Sequence, residues 1–384
     1  MSTIETSSSL RPDMSAFEQS RAPLSRASHA PGFIYTSRDV YEQEKERIFM
    51  REWLCVGREE EIENPGDYIA LRVLDEPVLI VRDRKGEINA FSNICLHRGV
   101  EIAVGTGNKP ALTCPFHGWS YDLQGRLIGA PNMKGAEGFV ASQKRLPPIR
   151  LARWKRWLFI NFSDDAPPFE EYVAPFEQDF DYLQQENCRL AVKTVSEVDC
   201  NWKLVVENLI DLYHVNVVHT TTNGRTFTKD AFKFVPRPRG GYVAEYNSGP
   251  STFSRKPVFG KAPWLQDRPE DFSTAGLLAP NFTFFARVDT VHPYVTWPLG
   301  VDRCRIIVYT LVPEVYRDEP DFAQRVEAYR EFQKQVVKED SEMLRSTQNG
   351  LASRRFTPGR MADLESGVHH VLNGYLDRMS SESR

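Results

Sequence analysis

The pattern of apolar and polar positions changes character several times along the chain. Residues 1 to about 32 are polar with scattered prolines and read as an arm. From Ser37 to Trp53 the apolar positions Val40, Tyr41, Ile48 and Phe49 fall on one side of a helix that Ser37 or Asp39 would cap. From about 53 to 165 short apolar runs such as Tyr68–Leu71, Pro77–Val81 and Ile88–Phe91 alternate with turn-forming segments, the pattern of a small antiparallel β domain. Trp157–Phe162 reads as its closing strand, and Asp164–Pro168 as a linker.

Beyond the linker the pattern is mixed. Trp202–His219 reads as a helix with one irregular end, and residues 282–288, 291–297 and 304–312 as strands of one sheet, rich in aromatic and β-branched side chains. A long helix is predicted from Asp321 to about Thr347, where Phe322, Val326, Tyr329, Val336 and Val337 form an apolar stripe. The expected organisation is an arm at 1–37, a β domain at 38–165 and a second, α+β domain at 166–384.

Composition narrows the function classes. The 384 residues carry a net charge of −4, so no electrostatic case arises for nucleic acid or an anionic membrane as partner. Mean hydropathy is −0.44 and no apolar run reaches bilayer-spanning length. The Ser/Thr-rich N-terminus lacks the apolar core of a secretory signal, which makes the cytoplasm the expected location. There thiols stay reduced, so the six cysteines are expected to be buried hydrophobes or ligands. Among them only Cys95 and Cys114 have histidines close by.

Those histidines define the first constellation. Cys95 and His97 precede Gly99, and Cys114 and His117 precede Gly118, each set in a predicted turn. A structural zinc would take all four side chains around one ion. A Rieske [2Fe-2S] cluster would take two thiolates on one iron and two imidazoles on the other. Zinc fingers usually present Cys with Cys and His with His, whereas here each loop carries one of each, so the spacing favours the cluster.

The second constellation lies on the predicted helix. Asp211 and His214 are three residues apart and share a helical face, while His214 and His219 are five apart. They converge on one metal only if the helix loosens between them, which the β-branched Val215, Val217 and Val218 favour. Two histidines and a carboxylate on one face of a metal form the arrangement of non-haem Fe(II) oxygenases. Asp340, on the long helix, is the candidate third ligand. Asn208 is a further candidate for the iron site. Leu209, Leu212 and Val215, with Phe282, Phe284, Phe285, Thr296 and Trp297 from the sheet, are candidates for a substrate pocket.

Both motifs together resemble the α (terminal oxygenase) subunits of Rieske non-haem iron oxygenases, the aromatic ring-hydroxylating dioxygenase family. The resemblance runs from about residue 37 to 376, through the two Cys/His loops, Asp211, His214, His219 and the Glu339, Asp340 and Gln348 segment. It implies a Rieske domain followed by a catalytic domain whose central antiparallel sheet is flanked by helices in a helix-grip (START-like) arrangement. It implies that Cys95, His97, Cys114 and His117 hold the [2Fe-2S] cluster and that His214, His219 and Asp340 hold a mononuclear Fe(II). O2 would be the co-substrate. Electrons would come from NADH or NADPH through a flavin reductase, with or without a ferredoxin.

The same resemblance implies a head-to-tail homotrimer in which Asp211 bridges the Rieske ligand His117 of the partner subunit and His214. Aromatic ring hydroxylation is the main substrate expectation. Monooxygenation or demethylation of an aliphatic acid, a quaternary amine or a methoxy compound is the alternative. Carnitine-type relatives carry Glu at the bridging position, and Asp211 points mildly away from them. A reading of a different class, a non-catalytic Rieske electron carrier, accounts for only about a third of the chain.

Overall fold

The protein is described from a computed structural model, in which residues 14–225 and 232–380 are described. The first thirteen residues of the expected arm lie outside that range. No helix among the described residues is long and apolar enough to cross a membrane. The chain divides into two units, Glu52–Pro167 and a second formed by the residues up to Arg51 with Pro168–Arg384.

In the first unit the Val- and Ile-rich runs pair as antiparallel strands. Ile88–Ser92, Glu76–Arg82, Asp67–Val73 and Thr106–Asn108 lie side by side in that order. Leu112–Thr113, Ser120–Tyr121 and Leu127–Gly129 form a small second sheet, and Leu54–Arg58, Trp157–Asn161 and Arg150–Trp154 a third. The core between the first two sheets gathers Leu79, Val81, Phe91, Leu112, Tyr121 and Leu146. Cys95, Cys114 and Trp119 belong to the same core, so this packing positions the two Cys/His loops.

The boundary before this unit falls at Glu52 rather than at the expected residue 38. The helix at Arg38–Glu44 forms, capped by Ser37, whose hydroxyl accepts from the Val40 amide. It continues through a π-helical turn at Lys45–Phe49. This segment carries its buried side chains into the second unit. The Glu44 carboxylate accepts from Trp202 Nε1 (2.8 Å), from Tyr375 Oη (2.7 Å) and from Lys203 Nζ, and the Phe49 and Trp202 rings meet edge to face at 5.0 Å. A buried carboxylate needs such partners, and they are far away in the sequence.

In the second unit the described residues form a seven-stranded antiparallel sheet. Its order is Cys188–Val198, Cys304–Pro313, Val291–Pro298, Phe282–Arg287, Phe272–Leu278, Tyr242–Asn247 and Lys233–Pro236. The three strands predicted from the aromatic runs are adjacent in it. Phe285 pairs with His292 and Ser273 with both Tyr246 and Arg287, which places Tyr246, Phe285, Arg287, His292 and Tyr294 on one face. Helix Glu327–Leu351 packs its stripe of Tyr329, Phe332, Val336 and Val337 inward, one turn longer at its C-terminal end than predicted. Helix Phe169–Phe180 packs on the opposite face, where Phe176 and Phe180 contact Phe284 edge to face at 5.4 and 4.6 Å.

Candidate metal centres and cavity

The two Cys/His loops are near copies of one another. In each, the amide of the glycine four residues on donates to the cysteine carbonyl, Gly99 to Cys95 at 3.0 Å and Gly118 to Cys114 at 3.1 Å. In each, the cysteine amide donates back across the loop, to Val100 at 2.8 Å and to Trp119 at 2.8 Å. Closing such a tight loop needs a left-handed residue, and Gly99 and Gly118 sit at φ +78° and +71°. The thiols point into the core and are buried, while His97 and His117 are exposed with their ring centroids 4.6 Å apart. His97 is held by stacking flat on Trp119 at 4.9 Å. Tyr121 Oη lies 3.4 Å from Cys95 Sγ and accepts from the Leu96 amide at 3.0 Å.

These four donors do not converge on a single point. Among the described residues, the group of three or more His, Cys, Asp or Glu donors close enough to share one ion is His214, His219 and Asp340. A structural zinc needs convergence. Paired thiols inside and paired imidazoles outside fit an elongated two-iron unit instead.

The His/Asp group is built by a break in the helix. Trp202–Ile210 is helical, but Asp211 turns to an extended conformation (φ −72°, ψ 106°). A short helix, Val215–Val218, then follows with His214 before it and His219 after it. The expected loosening between the histidines at the valine run is therefore corrected: the main break lies at Asp211, before His214. The Asp211 carboxylate stabilises that break by accepting from the Tyr213 amide at 2.8 Å, as polar side chains do at helix ends.

The three donors face one another closely. His214 Nε2 lies 3.3 Å from His219 Nε2 and 3.5 Å from Asp340 Oδ1, and His219 Nε2 lies 3.1 Å from Asp340 Oδ1. Asp340 Oδ1 is buried yet makes no hydrogen bond of good geometry among the described residues. A buried carboxylate oxygen and two imidazole nitrogens aimed at one another are what a 2-His-1-carboxylate iron site presents. The outer nitrogens are both held: His214 Nδ1 by Asp211 Oδ2 at 3.1 Å and His219 Nδ1 by Glu339 Oε2 at 2.8 Å. This leaves each Nε2 free to ligate.

Electrostatics agree with the geometry. Burial pushes the Asp340 carboxyl up, but His214 and His219 outweigh it and hold it at about 2. For His214, burial works downward and is outweighed by Asp211 and Asp340, which raise it to about 9. Opposite charges this close favour one another's ionised forms.

The metal-type group opens on a cavity of about 650 Å³ including its mouth. The candidates Asn208, Leu209, Leu212 and Val215 line it, and so does Asp211. Phe285 lines it too, but Phe282, Phe284, Thr296 and Trp297 do not. Phe282 and Phe284 alternate with Phe285 and face the Phe176/Phe180 layer, and Trp297 alternates in the same sense with His292 and Tyr294. Thr296 shares their face but is buried beyond the lining. Because the sheet is covered on both faces, both sets are aromatic and alternation of hydrophobicity does not tell them apart. Sequence reading also missed Tyr246, Arg287, His292 and Gln333, which the register and the long helix bring to the cavity. For His292 the signal was the alternation of His292, Tyr294 and Thr296 with apolar residues along Val291–Pro298.

The two units match two known families. Residues 52–147 match the Rieske [2Fe-2S] domain, and residues 185–381 the catalytic domain of ring-hydroxylating α subunits. The carnitine monooxygenase oxygenase subunit of Acinetobacter baumannii is 34% identical over 192 residues, 49% of this chain and 52% of that protein. The chain thus spans about half the length of that relative. The chloroplastic choline monooxygenase of Arabidopsis thaliana is 28% identical over 367 residues, 91% of this chain and 82% of that protein. Among solved structures, a quaternary ammonium Rieske monooxygenase in complex with L-carnitine superimposes with a TM-score of 0.74 at 25% identity, covering 92% of this chain and 94% of that one. With its Rieske domain and its catalytic domain each matched, the chain belongs to the ring-hydroxylating oxygenase α-subunit family.

Proposed function

We propose that this chain is the terminal oxygenase of a multicomponent Rieske system that monooxygenates a small quaternary ammonium compound. Electrons would come from NADH or NADPH through a flavin reductase. The observation that carries the reading is the His214, His219 and Asp340 group at the end of a cavity walled by the aromatic side chains Tyr246, Phe285 and Tyr294. Aromatic faces attract a trimethylammonium group, whose charge is spread over its methyls. The similarity to carnitine and choline monooxygenases supports the same class and favours it over the aromatic ring of the first expectation.

In this reading Cys95, His97, Cys114 and His117 hold the [2Fe-2S] cluster, and His214, His219 and Asp340 hold Fe(II). When bound, the cluster supplies single electrons and the iron supplies activation of O2. The protein does the rest. Asp211 and Glu339 fix the tautomers and ring planes of the two histidines by accepting from their Nδ1 atoms. Leu209, Leu212, Val215 and Val336 give the cavity its apolar wall and keep water from the reacting groups. In a head-to-tail trimer Asp211 would join His117 of the partner subunit to His214 through one hydrogen bond to each.

The test is turnover by the iron-loaded chain with a reductase. Quaternary ammonium compounds and arenes such as naphthalene are offered separately, and O2 uptake is compared with oxygenated product. Coupled product formation from a quaternary ammonium compound supports the reading. Product formation confined to arenes overturns it.

A further inference from the structure

The cavity contains a charge that the iron site does not use. Arg287 ends the strand Phe282–Arg287, shares the face of Phe285, and lines the cavity together with His214, His219 and Asp340. It is only 4% exposed. Its Nη1 donates to Tyr246 Oη at 3.0 Å and to the Ala286 carbonyl at 3.3 Å. Its Nε is buried and has no hydrogen-bond partner, and the Nε/Nη2 edge of the fork carries no hydrogen bond among the described residues.

No carboxylate among the described residues pairs with this guanidinium. Asp289, two positions on, is buried as well and feels the Arg287 charge, but its oxygens accept from Tyr329 at 2.5 Å and Thr290 at 3.2 Å and make no ion pair with the guanidinium. The other titratable groups nearby are Tyr246, already bonded to Nη1, Tyr294, whose hydroxyl donates to Gln333 at 2.8 Å, and His292, whose nitrogens meet the Thr290 and Thr310 hydroxyls at 2.9 and 3.2 Å. Arginine keeps its charge at every relevant pH, and a buried charge without a directly bonded counter-ion is unfavourable. An open Nε/Nη2 edge is the geometry that receives a carboxylate through two parallel hydrogen bonds. Arg287 also borders a void of about 190 Å³ beside Trp264 and Leu265, but the space for an organic ligand is the 650 Å³ cavity.

We propose that Arg287 is the specificity-determining anion anchor of this cavity, and that the substrate carries a carboxylate seated on its Nε/Nη2 edge. The inference rests on the proposed function for the identity of the substrate cavity, and it deepens that reading. A quaternary ammonium ion alone would meet an uncompensated like charge, whereas a zwitterion brings the counter-ion with it. The substrate is then a betaine-type molecule rather than an amino alcohol or a neutral arene, with its cationic end against Phe285 and Tyr294 and away from Tyr246, whose ring the guanidinium already approaches at 5.3 Å.

The test is calorimetric binding to the iron-loaded, oxidised protein. Glycine betaine and choline share a trimethylammonium group and differ in carboxylate against hydroxyl, and benzoate supplies the carboxylate without the ammonium. Wild type should bind glycine betaine about tenfold or more tighter than choline. Arg287→Gln should lose roughly 10- to 100-fold for glycine betaine while choline binding holds or tightens, and Arg287→Lys should recover part of the loss. The wild-type comparison stands even if Arg287→Gln does not fold. Equal or tighter binding of choline by wild type, equal losses for both ligands, or no binding of any carboxylate overturns the inference. Choline binding with no carboxylate binding removes the anchor and leaves the quaternary ammonium reading. Arg287-dependent binding of benzoate with no quaternary ammonium bound keeps the anchor and removes that reading.

Discussion

Glu339 Oε2 lies 2.8 Å from Nδ1 of His219, while the next residue in the chain, Asp340, lies 3.1 Å from Nε2 of the same ring. Two consecutive helical carboxylates thus grip opposite edges of one imidazole, one toward the metal position and one behind it. Glu339 is itself fixed by Thr221, Thr222 (2.6 Å) and Gln335 (3.0 Å). Replacing the outer partner of a metal-bound histidine typically costs 10- to 100-fold in affinity. Glu339→Ala is expected to weaken Fe(II) binding to the metal-depleted second site by about that factor while the Rieske absorbance is unchanged. A titration with Fe(II) under anaerobic conditions measures it; an unchanged affinity would detach Glu339 from the site.

The triad itself makes a stoichiometric prediction. A fully loaded chain should carry ~3 irons, two in the cluster and one in the mononuclear site. His214→Ala and Asp340→Ala should each lower that to ~2 with acid-labile sulfide unchanged and turnover abolished. Iron and sulfide analysis decides the matter. Loss of all iron and sulfide together would mean that the two centres are not separate.

Asp211 accepts from both the Tyr213 amide and His214 Nδ1, so its two oxygens can be tested apart from charge. Asp211→Asn keeps the shape and removes the anionic acceptor, and Asp211→Ala removes both. If Asp211 bridges subunits, both variants should let a reductase reduce the Rieske cluster at the wild-type rate. Turnover should fall roughly 10- to 100-fold in both. A turnover loss that vanishes on adding excess iron would assign Asp211 to iron retention instead.

Phe284 and Phe285 are neighbours with opposite tasks. Phe284 is fully buried against Phe176 and Phe180, while Phe285 lines the cavity and meets Tyr294 edge to face at 5.5 Å. Phe284→Ala should cost about 3–5 kcal/mol of stability, read by denaturant unfolding, with KM little changed. Phe285→Ala should change KM far more than the unfolding midpoint. The reverse pattern would put the cavity on the other face of the sheet.

That pair marks the limit of what the sequence alone discloses. The two Cys/His loops and the meeting of His214, His219 and Asp340, with Asp211 behind His214, could be anticipated because the proposed metal sites restrict residue type and spacing. The cavity wall could not, because its members come from Tyr242–Asn247, Phe282–Arg287, Val291–Pro298 and the long helix, and only strand register decides which alternate residues meet. The boundary near Arg51 was hidden for a related reason. Glu44 looks like a surface acid until Trp202, Lys203 and Tyr375 arrive from far along the chain to hold it.

His292 supplies a pH-dependent prediction away from the ligands. Burial, with Arg287 adding to it, drives its imidazole from the ordinary 6.5 down to about 3. Thr290 and Thr310 hydroxyls serve the neutral ring, each able to donate or accept. The folded protein therefore refuses the proton that the unfolded chain takes up below pH 6.5. Stability from this residue is complete above pH 6.5 and falls as pH drops toward 3, at about 1.4 kcal/mol per pH unit, or about 2 kcal/mol by pH 5. His292→Gln keeps the polar contacts and cannot titrate. Its unfolding free energy should fall less steeply than wild type between pH 6.5 and 4, even if it starts lower at pH 7.5. Parallel slopes in the two proteins would show that His292 is not held neutral in the fold.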